Sequence, residues 1–172
     1  MTAEQFEAFI KHAYWGLDMI LDAAAELSEA EFRARPLTGV QSVQATLIHM
    51  LGFETFWGGI LQGEQRADQP TAEEVRARDP DLAALRKTWA PVREEWLGFV
   101  ATATPEQLNA QLEVKGPDKN EYQPRARLVL SQFVQHQGQH RSELAALVSQ
   151  YGHSPGEFDW WDFEQIPRKG ES

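Results

Sequence analysis

Cysteine is absent from the 172-residue chain, which excludes a disulfide framework, a thiolate zinc site and a cysteine nucleophile. A basic excess is absent too: 16 Lys and Arg stand against 26 Asp and Glu, a formal net charge of −10. Proteins that track nucleic-acid phosphates or anionic lipid carry basic patches, and none is visible, so neither nucleic acid nor a membrane is an expected partner. No apolar run approaches the ~20 residues that span a bilayer. Residues 1–6 show no basic region leading into an apolar stretch, so no secretory leader is expected and a cytoplasmic location is the default. Internal repeats and low-complexity tracts are also lacking. What is present, 42% hydrophobic and 24% charged residues, suffices for one core, read as a single domain over residues 1–165 with a frayed tail at 166–172.

Apolar residues recur at helical spacing in four stretches. Phe6, Ile10, Ala13, Leu17, Ile20 and Ala24 predict a first helix over 3–27. Ser42 is a candidate N-cap for a second, which runs to about residue 62 and is apolar nearly all round, as a helix deep in a bundle would be. Leu82, Leu85, Trp89, Val92, Trp96, Phe99 and Val100 mark a third; Pro91 is expected to kink it near 87–90, and its aromatic stripe reads as core. The fourth spans about 125–151, with Leu128, Phe133, Leu144, Leu147 and Tyr151 on its apolar side and Gly152 stopping it. Residues 63–81 read as a polar loop with one turn begun by Thr71-x-x-Glu74, and Thr104-Pro105 begins another short turn. Residues 112–114 and 121–123 flank Gly116-Pro117-Asp118, which gives the option of a small hairpin. The predicted class is all-α: an up-and-down type four-helix bundle, with that hairpin before the last helix. The aromatic run 158–163 reads as a tail folded back over the bundle end, or else as a pocket wall.

The stretch His136-Gln137-Gly138-Gln139-His140 lies inside the fourth helix. Residues four apart on a helix are rotated by about 40° and separated by about 6 Å along the axis. The two imidazoles therefore leave one face on successive turns, a standard geometry for two nitrogen ligands of one metal ion. Phe133, Leu144 and Leu147 turn that face toward the core, where an unpartnered imidazole is costly. His49 lies near the middle of the second helix. If those two helices are neighbours, three imidazoles meet at one depth, the donor set of an open zinc site whose remaining position takes water or a thiolate.

Other residues fall into place around this set. Gln137 stands where zinc proteases carry their glutamate base, and it cannot take a proton, which disfavours peptidase chemistry. Glu54, about 140° round from His49, is poorly placed for the same ion. Glu143, about 60° round from His140, is a candidate acceptor or base behind that ligand, and otherwise a solvated charge. His12 lies off the apolar stripe of its helix and reads as a flank or surface residue; a contact behind the site or to substrate is the weaker reading. No role is assigned to His153. The alternative to a metal is that the histidines are ordinary core residues bonded to Thr46, Gln137 or backbone groups.

The pair Tyr14-Trp15, His49 followed by Glu54 and Trp57, the run His136-x-x-x-His140-Arg141, the turn Gly152-His153-Ser154-Pro155 and the tail led by Asp159 form a set. In these motifs the chain resembles, over roughly its full length, the DinB/YfiT-like family of metal-binding four-helix bundles. The resemblance implies that His49, His136 and His140 ligate a divalent metal, commonly nickel, zinc or iron in that group. Ser142 and Glu143 stand where the family often has Gly and Gln, a departure that bears on local packing rather than on the ligands. Arg141 and Glu143 become the candidates for supporting roles, with Glu54 as a partner for Arg141. Characterised members include thiol S-transferases and a thiol-dependent isomerase, so the resemblance implies a small-molecule substrate and a low-molecular-weight thiol. The family's damage-inducible name reflects gene regulation rather than DNA chemistry. Two readings follow: a metal-dependent enzyme, thiol S-transferase or small-molecule hydrolase, or a non-enzymatic, metal-stabilised homodimeric bundle with a binding or stress-related role.

Overall fold

The structure, a computed structural model, describes residues 1–35, 41–64, 70, 72–116 and 120–165. In chain order the elements are α1 (Ala3–Ala25), the short α2 (Glu29–Arg33), α3 (Val43–Leu61), the short α4 (Ala72–Ala77), α5 (Leu82–Thr102), the short α6 (Pro105–Asn109), strands β1 (Val114–Lys115) and β2 (Glu121–Tyr122), α7 (Ala126–Gln150) and the single turn α8 (Trp160–Phe163). Among the described residues the fold is all-α apart from that hairpin, as the periodicity predicts.

Local chemistry sets the ends of these helices. Ser42 accepts a hydrogen bond from the Ala45 N–H and starts α3, and Asp81 does the same for α5 through Ala84. Thr2, Ser28 and Thr104 form capping boxes with Gln5, Glu31 and Gln107. α7 stops at Gly152, whose φ of 88° only glycine adopts freely. There His153 N–H bonds the Val148 carbonyl at 3.2 Å and Gly152 N–H that of Ser149 at 3.0 Å, closing the last turn. Pro91 withholds the N–H that would bond the Lys87 carbonyl. The expected kink does not interrupt α5, which is continuous through this exposed position.

α1 and α3 each pack against both α5 and α7, so α1 lies diagonally across the bundle from α3, and α5 from α7. Asp22–Arg86 and Asp18–Arg93 pairs set α1 antiparallel to α5. Gln44 bonds Pro80 at one end of α3, Glu54 meets Trp89 midway, and Gln62 bonds Glu95 at the other, so α3 and α5 run parallel. α7 runs against α3. The directions are up, down, down, up, which refines the expected up-and-down arrangement. The long connection between α3 and α5 makes this possible, because α4 folds back along α3 before α5 begins.

Ile10, Leu17, Leu47, Met50, Trp96, Leu130, Phe133 and Leu144 form the fully buried centre. Leu128, expected on the apolar side of the last helix, is 60% exposed, and Val129 and Leu130 face inward in its place. The hairpin pairs Val114 with Tyr122 and Lys115 with Glu121. The expected turn residues Pro117 and Asp118, the capping Thr71 and the tail 166–172 lie outside the described residues. The aromatic tail folds back on α1, where Trp160 packs edge-on against Phe9 with centroids 5.2 Å apart and Phe163 packs on Trp15 at 5.6 Å. Among the described residues, no helix is long and apolar enough to cross a membrane.

Candidate metal centre

The pairing of α3 with α7 brings together all three histidines that the spacing singled out. Nε2 of His49 lies 3.0 Å from Nε2 of His136, and one nitrogen from each of His49, His136 and His140 lies within 4.8 Å of the others. Two nitrogens each about 2.0–2.1 Å from a tetrahedral ion stand roughly 3.3 Å apart. The His49–His136 pair is thus spaced for a shared ion, or for a single shared proton. Phe53 stacks on His136 with centroids 4.1 Å apart and screens it from water.

The rings are held in the ligating form. Burial, reinforced by the neighbouring His140 and His49, lowers the His136 imidazole to about 4. Burial and then His140 lower His49 as well. Both are therefore neutral at pH 7, as a metal ligand must be.

His140 is oriented by Glu143, whose Oε2 lies 2.7 Å from Nδ1. Burial pushes the Glu143 carboxyl up, but hydrogen bonds from Gln139 and His140 outweigh it and leave it below its ordinary value. A carboxylate only accepts, so Nδ1 of His140 carries a proton, which in the neutral ring leaves the lone pair on Nε2. Glu143 thus lies against the Nδ1 side of His140. His136 Nδ1 is buried without a hydrogen-bond partner among the described residues. Three imidazole donors fit a borderline first-row ion; calcium and magnesium prefer oxygen donors.

Gln137, 0% exposed, turns away from the imidazoles and donates to Glu54 Oε1. The alternative in which Gln137 satisfies the histidines is thereby replaced. Glu54 is also fully buried. It accepts from Tyr14 Oη at 2.7 Å and Trp89 Nε1 at 2.8 Å. Burial raises its carboxyl to about 7 against the pull of these donors.

The suggested pairing of Arg141 with Glu54 does not form, because other donors fill that carboxylate. The Arg141 guanidinium crosses to α1 instead, reaching the His12 carbonyl at 3.3 Å and lying over the Phe158 ring at 5.7 Å. Gly16 makes room for it, since a Cβ there would collide with Nη1. Burial lowers this guanidinium to about 10.

His12 is buried rather than at the surface. Its Nε2 donates to the Phe158 carbonyl at 2.9 Å and its ring stacks on Trp160 at 4.3 Å. Burial, then the charge of Arg141, lowers its pKa. The helical pattern of α1 missed this because the covering residues arrive 146 positions later. The Glu54 cluster was missed too; its one signal was a lone acid in an apolar helix, which must find donors.

Fold and site together define a four-helix bundle that can hold a metal ion between two of its helices. The model of the DinB family matches residues 1–170, and the chain belongs to that family. It is similar to a solved DinB-like protein (YjoA) from Bacillus subtilis, at 18% identity with a TM-score of 0.58, covering 91% of this chain and 97% of that one. At that identity the likeness establishes the fold. No curated protein matches the chain.

Proposed function

We propose that the protein is a metal-dependent enzyme acting on small molecules, a thiol S-transferase or a hydrolase, with His49, His136 and His140 as the ligands of a zinc, nickel or iron ion. The observation that carries this reading is the convergence of three imidazole nitrogens within 4.8 Å; a set of three protein donors leaves room for a further ligand. Such an ion, when bound, supplies a Lewis acid that makes a coordinated water or low-molecular-weight thiol acidic. Glu143 fixes the tautomer of His140 and raises its basicity through the Nδ1 proton. Phe53 excludes water from the His136 side.

Beyond Phe53, Trp57 follows at 6.4 Å between centroids. Trp57 and Phe56 line an apolar pocket of about 400 Å³ with Val114, Tyr122 and Pro124 of the hairpin segment. A pocket of this size and lining suits the apolar part of a small substrate.

The test is a turnover screen that pairs low-molecular-weight thiols, or water alone, with small electrophiles. Wild-type protein is compared metal-loaded, chelator-treated and as His140→Ala. Turnover that requires both the metal and His140 supports the enzyme. If chelation lowers the melting temperature but no condition gives turnover, the metal is structural and the bundle is a binding protein.

A further inference from the structure

We infer that Glu54 and Gln137 are positioning residues for the histidine site: the Glu54 carboxylate, through the Gln137 side-chain amide, holds α7 against α3 at the spacing that brings His49 and His136 together. The role exists only if the histidines hold a metal, so the proposal rests on that reading.

The carboxylate of Glu54 is bonded from each of the other three long helices. Tyr14 of α1 and Trp89 of α5 both donate to Oε2, and Gln137 of α7 donates to Oε1. Trp96 Nε1 adds a bond to the Glu54 main-chain carbonyl at 3.0 Å, passing so close to Gly58 that a Cβ there would meet that nitrogen at 3.0 Å. One carboxylate oxygen thus anchors Glu54 to α1 and α5, and the other is given to α7.

Gln137 directly follows His136, and Glu54 lies about one and a half turns beyond His49. α3 and α7 are therefore joined twice at the level of the site. The imidazoles meet on the outer side and the carboxylate and amide on the inner side. A single contact fixes a separation, whereas two contacts on different sides of a helix also fix its rotation. Ligand atoms must stand within about 0.5 Å of their working positions, and a slide of one residue moves a helix about 1.5 Å. Loss of the inner contact should loosen the outer one.

The way the two oxygens are shared makes one substitution a built-in rescue. In Glu54→Gln the side-chain oxygen can still accept from Tyr14 and Trp89. Its NH2 then faces Gln137, whose amide can reverse and accept. Glu54→Leu and Gln137→Met cannot keep the tie. Tyr14→Phe removes a bond from the same carboxylate that runs to α1 rather than α7, and keeps the ring that packs on Phe133.

Cobalt(II) is titrated into metal-stripped full-length wild type and these four variants, with visible absorption reporting ligand geometry and thermal melts reporting stability. The expected result is that Gln137→Met and Glu54→Leu weaken cobalt binding by about tenfold or more and alter the ligand-field bands. Glu54→Gln and Tyr14→Phe keep wild-type affinity and bands, although Tyr14→Phe melts lower. Wild-type affinity in Gln137→Met overturns the inference while leaving the metal site standing. So does a loss of affinity that follows melting temperature across all variants, Tyr14→Phe included, which marks a merely structural role. Should Gln137→Met not fold, the comparison of Glu54→Leu with Glu54→Gln decides, and equal affinities overturn the inference. A wild type that binds no cobalt removes the metal reading, and the inference with it.

Discussion

Replacing Glu54 with glutamine should abolish a pH dependence of stability that the buried carboxyl imposes on the apo protein. Glu54 is 0% exposed, and burial raises its carboxyl from an ordinary 4.5 to about 7. Between those values the folded chain holds a proton that the unfolded chain has lost. Stability from this group is thus fully present below about 4.5, falls as pH rises through the window, and is gone above about 7. The span corresponds to about 3 kcal/mol, or roughly 6–12 °C in Tm for a chain of this size. The opposing titration of His136, held at about 4 by burial, then by His140 and His49, adds stability as pH rises and would mask the effect in wild type alone. The quantity to measure is therefore the difference between wild type and Glu54→Gln. Urea denaturation of chelator-treated protein, followed by tryptophan fluorescence at about pH 4.5 and about pH 8, gives it directly. The variant should gain on wild type by about 3 kcal/mol between the two conditions. A difference that does not change with pH would refute the claim that this carboxyl is buried in a costly charged form.

Two further predictions concern α1. Gly16→Ala should displace the Arg141 guanidinium, because the new Cβ would collide with Nη1. The cost should be about 1–3 kcal/mol, read in a thermal melt, and an unchanged melt would show that the guanidinium does not occupy that gap. Trp160→Ala should uncover His12, whose imidazole is held below its ordinary value first by burial. An NMR titration should find that imidazole moved back up, and an unmoved titration would mean that the tail does not cover it.

The residues differ in how far they could be read from the sequence, and the reason is the range of the contact that places each one. His136 and His140 were legible because a four-residue spacing on a helix fixes a shared face whatever surrounds it. Glu143 was legible for the same reason, being one turn from His140. His49 needed one further assumption, that α3 and α7 are neighbours, which the bundle supplies. Leu128 was misassigned because a stripe anchored on Phe133, Leu144 and Leu147 does not fix the phase at the start of the helix. The partners of Glu54 and Arg141 depend on which helices adjoin at that level and on the gap at Gly16, and apolar periodicity carries neither. His12 is covered by a tail from the far end of the chain, a contact with no local signature at all. The up, down, down, up order was hidden for a similar reason, since it follows from the path of the α3–α5 connection.

The most direct test is the metal content of protein purified without a histidine tag, measured by elemental analysis for wild type, His49→Ala and His140→Ala. About one divalent first-row ion per wild-type chain, and its loss in both variants while each remains folded, is the predicted result. Full metal retained by either variant, or none in the wild type even after incubation with zinc, nickel and iron(II) salts, would contradict a shared site built by imidazoles from two helices.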